Sequence, residues 1–175
     1  MIGPVADLAM LADQLCSTLR RRSETLSAAE SCTGGWLARE VTGISGASDV
    51  FWGGVVTYAD AAKTELADVP PALIRAHGAV SAEVAEALAE GIRDRSGTDW
   101  SVSITGVAGP AGGSPDKPVG TVWIATAGPS GTTTRSIVAG GNRDEIRAEA
   151  VARAFDLLLV GMESGGHASG TSGQT

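Results

Sequence analysis

Apolar residues recur at three- and four-residue steps at Val5, Leu8, Ala12, Leu15 and Leu19, which predicts a helix over residues 5–22. Arg20, Arg21 and Arg22 fall at its end, where cations suit the helix dipole. Residues 25–30 are a short run of small residues and are expected to form a buried strand, with Gly34-Gly35 as punctuation. A short helix follows from Trp36 to Val41, closed by Gly43. Val50 to Tyr58 is the best strand, although Gly53-Gly54 inside it points to a bulge or a close backbone approach. Asp60 is the expected cap of a helix reaching Leu66, and Pro70-Pro71 opens another that ends near His77-Gly78. Ser81 caps a clearer helix whose buried face is Val84, Leu88 and Ile92. Ser101–Thr105 is a strand, followed by a glycine-rich loop over 106–120. Thr121–Ala127 and Thr132–Val138 then form a hairpin about Gly128-Pro129-Ser130-Gly131. A final helix carries Ile146, Ala150, Ala154, Leu157 and Leu158. The alternation of helix and strand argues an α/β fold with at least one antiparallel pair. Residues 1–162 read as one domain, and the Ser, Gly, Thr and Gln of 163–175 as a disordered tail.

Composition narrows the function classes. The 175 residues carry 13 Lys+Arg against 20 Asp+Glu, a formal net charge of −7. Such an acidic chain is not expected to bind nucleic acid through its phosphate backbone, so any anion must be held by a local site. Cys16 and Cys32 cannot build a disulfide framework and fit a reducing compartment. The longest strongly apolar run, Leu157-Leu158-Leu159-Val160, is far short of a membrane span of roughly 20 residues. Asp7 and Asp13 interrupt the apolar start, and no basic region precedes it, so no signal peptide is expected. The expected location is the cytoplasm. No Cys-x-x-Cys, His-x-x-x-His or close carboxylate cluster supports a metal site.

Four segments could carry chemistry. Glu30-Ser31-Cys32-Thr33-Gly34-Gly35 sits where a strand gives way to a helix. Unpaired N–H groups at a helix start can receive a phosphate or an oxyanion, and Ser31 or Cys32 could be a nucleophile aimed at it. A plain helix cap by Ser31 or Thr33 is the simpler reading of this segment alone. Cys32 lacks a base, since the only histidines are His77 and His167, so it also reads as a small packing residue. Tyr58 and Lys63 form the second segment. A lysine on a first helical turn, partly buried, could lose its proton and serve as a base, as in serine–lysine amide hydrolysis; a solvated lysine is the alternative. The third is Thr105-Gly106-Val107-Ala108-Gly109-Pro110, neither a Walker loop nor a dinucleotide fingerprint. It is a surface loop or a site rim at a strand's carboxyl end. The fourth is Arg143 with Arg147, one turn apart, which could clamp an anion or pair with Asp144, Glu145 or Glu149.

Together these segments resemble the CinA C-terminal domain family, the nicotinamide-nucleotide amidohydrolases. The signatures are Ala-Glu-Ser-Cys-Thr-Gly-Gly at 29–35, Gly46-Ala47-Ser48-Asp49-Val50-Phe51, Val56-Thr57-Tyr58 with Lys63, and His77-Gly78-Ala79-Val80-Ser81. Thr105 to Pro110, Lys117 to Val122, and Gly141-Asn142-Arg143 through Arg147 complete the set, in order, across about residues 5–161. Position 47 is Ala where the family often has Ser, and position 142 is Asn where an acidic residue is common. The resemblance implies a three-layer α/β/α sandwich with a mixed sheet. It implies hydrolysis of nicotinamide mononucleotide to nicotinic acid mononucleotide and ammonia, with no cofactor. It implies Ser31 as nucleophile, with Lys63 and Tyr58 moving protons, and N–H groups near Thr33 and Gly34 holding the oxyanion. Thr33, Gly34, Gly35, Ser48, Thr105, Gly106 and Arg143 are then expected around the substrate. The partners implied are a small nucleotide and a second copy of the chain, with no nucleic acid and no membrane. The reading from a different class is a non-catalytic nucleotide-binding or scaffold module of the same fold, which would need neither Ser31 nor Lys63.

Overall fold

A computed structural model describes residues 7–165. Five strands form one sheet: β1 (Leu26–Glu30), β2 (Phe51–Val56), β3 (Trp100–Gly106), β4 (Thr121–Gly128) and β5 (Gly131–Val138), in the order β2-β1-β3-β4-β5. β1 runs parallel to β2 and β3, whereas β3–β4 and β4–β5 are antiparallel, so the sheet is mixed. Six helices cover it: α1 (Leu8–Arg22), α2 (Trp36–Thr42), α3 (Asp60–Ala67), α4 (Pro71–His77), α5 (Ala82–Ser96) and α6 (Arg143–Gly165). The three-layer α/β/α sandwich is as expected.

The layers follow from alternation along the strands, because successive side chains leave a strand on opposite faces. Leu26 and Ala28 of β1, Val102 and Ile104 of β3, and Val122 and Ile124 of β4 pack with α1, α2 and α6, where Leu15, Leu19, Leu37, Phe155 and Leu158 are buried. The other face carries smaller residues. Ala29 meets Val84, Leu88 and Ile92 of α5 with Ala67 and Ile74 of α3 and α4, while Ala125 and Ala127 meet Ala85 and Ala89. Small side chains let α5 approach the sheet closely enough for Ser101 Oγ to donate to Ala89 O at 2.6 Å and Ser103 Oγ to Ala85 O at 2.5 Å. These buried hydroxyls are therefore satisfied without water.

Gly91 lets α5 pass against α3: a Cβ there would run into the Ala67 carbonyl. In an open helix, Gly→Ala gains about 1 kcal/mol, but overpacking against a backbone atom costs about 1–3 kcal/mol or more. Gly91→Ala is thus expected to lower Tm by about 4 °C or more in a thermal melt; an unchanged or higher Tm would contradict this packing.

Some boundaries differ from expectation. α1 starts at Leu8 and is capped by Asp7, whose carboxylate accepts from Met10 N; Val5 lies outside the described residues. Asp60 does not cap α3. It is the first helical residue, Ala59 holds the cap position, and no side-chain capping bond is made. A single 3-10 turn at Ala47–Asp49 precedes β2. α6 continues through 163–165, the first part of the expected tail, and residues 166–175 lie outside the described ones. No helix among the described residues is long and apolar enough to cross a membrane.

Candidate active site at the carboxyl ends of the parallel strands

The parallel strands β1, β2 and β3 all end on one side of the sheet, which is where α/β proteins place ligands. Ser31 directly follows β1, Thr57 and Tyr58 follow β2, and Thr105 and Gly106 end β3. A pocket of about 280 Å3 opens here, lined by Ser31, Tyr58, Asp60, Lys63, Thr105 and Arg143 among others. A wider groove of about 580 Å3 lies between β5 and α6, but its lining of Arg135, Ile137, Glu149, Arg153, Asp156 and neighbours includes no paired nucleophile and base.

Lys63 is the buried cationic residue of this pocket. On the first turn of α3 its side chain is directed back toward the helix start, as helical side chains are, and it is only 1% exposed. Its Nζ donates to Thr57 O at 2.8 Å and stands 3.3 Å from Ser31 Oγ. The nearest anionic atom is Asp60 Oδ1 at 4.0 Å, on a carboxylate that is 66% exposed. Burial lowers the Lys63 pKa from its ordinary value, and the charges of Asp60 and Cys32 oppose that shift without reversing it. A neutral amine can donate one N–H to Thr57 O and turn its lone pair to the Ser31 hydroxyl, which is the arrangement a general base needs.

Ser31 is held by the turn between β1 and α2. Its N–H donates to Ile104 O at 2.9 Å, and its carbonyl accepts from Gly34 N at 3.1 Å. Gly34 and Gly35 take φ of 62° and 93°, a left-handed backbone that explains a glycine pair at this point. The oxyanion expectation needs correction. The buried Glu30 carboxylate accepts from Gly35 N at 3.1 Å, Leu37 N at 3.0 Å, Ala38 N at 2.8 Å and the Thr33 hydroxyl at 2.7 Å. The start of α2 is thereby filled by the chain's own anion, and neither Ser31 nor Thr33 is its cap. Gly34 N is engaged with Ser31 O, which leaves the N–H groups of Cys32 and Thr33 without a partner among the described residues. Glu30→Gln would turn an amide NH2 toward donors, so it is expected to cost about 2–3 kcal/mol. A urea midpoint unchanged from the parent would contradict that role.

The other site residues divide. Tyr58 is 61% exposed, and its hydroxyl accepts from Arg143 at 3.1 Å and makes no hydrogen bond to Lys63 or Ser31. Arg143 also donates to Gly109 O at 2.6 Å, tying α6 to the glycine-rich loop. Its two partners are a carbonyl and a hydroxyl, and no carboxylate among the described residues pairs with it. Thr105 lines the pocket while its hydroxyl donates to Ala79 O at 2.8 Å, and Gly106 lines it through its backbone. Thr33 is fully buried with its hydroxyl committed to Glu30, so it does not face a ligand. Gly34 shapes the turn without lining the pocket. Gly35 and Ser48 line a different groove beside Arg39 and Trp52. Arg147 is structural: it donates to Thr33 O at 2.8 Å, lies 5.1 Å from the Trp36 ring centre and pairs with Asp144. Asn142 accepts from Asp144 N and Glu145 N while its own N–H donates to Glu145, a reciprocal cap for α6. Cys32 also lines the pocket, but burial pushes its thiol up to about 11, which disfavours the thiolate a cysteine nucleophile needs. The anchoring of α2 by Glu30 and the place of Asp60 in the pocket lining beside Lys63 are features that sequence reasoning missed. The only signal was a lone acidic residue at a strand end for one and in a first helical turn for the other.

Fold and site together define an α/β sandwich with a buried serine–lysine pair at the carboxyl ends of its parallel strands. This chain belongs to the CinA C-terminal domain family, whose profile matches residues 8–162. It is 50% identical over 152 residues to a CinA-like protein of Anaeromyxobacter dehalogenans, covering 87% of this chain and 37% of the relative. It is 47% identical over 140 residues to a putative competence-damage inducible protein of Caldanaerobacter subterraneus, covering 80% and 34%. The chain thus spans about a third of the length of these curated relatives. Among solved structures it is similar to the competence/damage inducible protein CihA from Agrobacterium tumefaciens, with TM-score 0.86, 36% identity and coverage of 93% and 99%. A CinA superfamily protein from Klebsiella pneumoniae matches with TM-score 0.87, 31% identity and coverage of 90% and 99%.

Proposed function

We propose that this domain hydrolyses the carboxamide of nicotinamide mononucleotide through an acyl-enzyme on Ser31. The observation that carries the reading is the 3.3 Å approach of a buried, pKa-lowered Lys63 amine to Ser31 Oγ. Neutral Lys63 takes the Ser31 proton as Oγ attacks the carboxamide carbon. Of the N–H groups left free in this turn, that of Cys32, which lines the pocket, is the donor available to the oxyanion. Collapse breaks the C–N bond, and the ammonium of Lys63 returns its proton to the leaving nitrogen, which departs as ammonia. Water then attacks the ester, Lys63 accepts its proton, and Ser31 leaves as the alcohol with nicotinic acid mononucleotide as product. Lys63 reaches Ser31 directly, so the scheme uses Tyr58 to orient Arg143, not to relay protons. Arg143, charged and without a carboxylate partner, is suited to the nucleotide phosphate.

No cluster of three His, Cys, Asp or Glu suitable for a metal exists among the described residues. The test is product analysis with purified protein after exhaustive chelation. Ammonia and nicotinic acid mononucleotide are expected in equal amounts. Free nicotinamide would indicate glycosidic cleavage, no turnover would favour a binding module, and loss rescued by one divalent ion would replace the serine–lysine scheme with metal-activated water.

A further inference from the structure

We infer that Asp60 reads the positive charge of an oxidised pyridinium ring, so that the pocket selects the oxidised mononucleotide over its dihydro form. The inference rests on the reading above. Asp60 lines the pocket beside Tyr58 and Lys63. Its carboxylate is 66% exposed and makes no hydrogen bond among the described residues. It is not consumed as a helix cap, because α3 has no side-chain capping bond. Among the described residues, the only cationic atom within 4.0 Å of it is the Lys63 amine. In the form that can accept a proton from Ser31, that amine is neutral, which leaves Asp60 as an unpaired anion.

The titratable and charged groups lining the pocket are Cys32, Tyr58, Asp60, Lys63 and Arg143. With Lys63 neutral and the Cys32 thiol pushed up to about 11, Asp60 and Arg143 are the carboxylate and the guanidinium left to meet a charged ligand. A ligand that satisfies both carries one cation and one anion. An oxidised nicotinamide mononucleotide is such a molecule, with a cationic ring and an anionic phosphate. Its ring nitrogen lies two bonds from the carbon that bears the carboxamide. The positive ring is therefore brought close to Ser31 whenever the carboxamide is, and Asp60 stands beside the base that serves Ser31. The dihydro ring has the same carboxamide and the same phosphate but no ring charge. The competing explanation is that Asp60 acts only on Lys63, raising its proton affinity. That effect would be the same for both ring forms.

The test is equilibrium binding of the oxidised and dihydro mononucleotides to Ser31→Ala protein by calorimetry, which separates recognition from turnover. The oxidised form is expected to bind roughly five- to tenfold more tightly, a modest ratio because the carboxylate is partly solvated. Asp60→Asn in the same background should remove the preference by weakening the oxidised form alone, and Asp60→Glu should restore part of it. Equal binding of both forms, a preference that survives Asp60→Asn, or binding of neither would overturn the inference. Ammonia release by the parent protein is measured in parallel. Ammonia without ring discrimination removes the role of Asp60 and leaves the amidase reading standing. Discrimination without ammonia does the reverse.

Discussion

Lys63→Arg is expected to reduce ammonia release from nicotinamide mononucleotide to background, because a guanidinium stays protonated at any usable pH and cannot accept the Ser31 proton. Lys63→Met should be equally inactive and should still bind nucleotide, since it removes a buried amine and keeps an apolar stem of similar length. The parent's kcat/KM should rise with pH. Below the Lys63 pKa the amine is charged and idle; above it the lone pair is free. Burial sets that pKa below the ordinary lysine value, so the rise falls at lower pH than an exposed lysine would give. Steady-state rates across pH for the three proteins check this. Substantial turnover by Lys63→Arg would make Lys63 a fixed positive charge and not the base. Tyr58 would then be the remaining candidate, and Tyr58→Phe would have to abolish the reaction.

Ser31→Ala is expected to lower kcat by about three to six orders of magnitude, the range seen when a nucleophile acting in a unit is removed. Nucleotide affinity should change little, because the Ser31 turn is held by backbone bonds to Ile104 and Gly34 and by the Glu30 carboxylate, not by the hydroxyl. Cys32→Ala is the matched control and should retain turnover: with its pKa pushed up to about 11, the Cys32 thiol is protonated at neutral pH. Near-normal rates for Ser31→Ala with loss in Cys32→Ala would transfer the nucleophile to the neighbouring position.

Most elements were legible because their signals are local. The three- and four-residue spacing of α1 and α5, Ser81 as a cap and the hairpin turn at Pro129-Ser130 all act within a few residues. Ser31 and Lys63 could be named, but not their distance, which depends on β1 and β2 lying side by side with α3 folded back over their ends. Glu30 was hidden for the same reason. As sequence it ends a strand of small residues; in space it accepts hydrogen bonds from groups as far along as Ala38. It takes the N–H groups of Gly35, Leu37 and Ala38, while that of Gly34 is taken by Ser31 O. Thr33 and Ser48 do not line this pocket for a related cause, since a hydroxyl near the right turn in sequence is turned inward in one case and lies in another groove in the other. Arg143 and Arg147 share a helix spacing, yet only Arg143 reaches the pocket, because Arg147 is occupied by Thr33 O and Asp144.

The acyl-enzyme on Ser31 is tested most directly by turnover in the presence of hydroxylamine. An ester intermediate partitions between water and the added amine, so the parent protein should yield the hydroxamate of the nucleotide alongside nicotinic acid mononucleotide. The hydroxamate share should rise with hydroxylamine concentration. Ser31→Ala should form neither product above background. Nicotinic acid mononucleotide as the sole product at every hydroxylamine concentration would mean direct attack by water and would contradict the covalent route through Ser31.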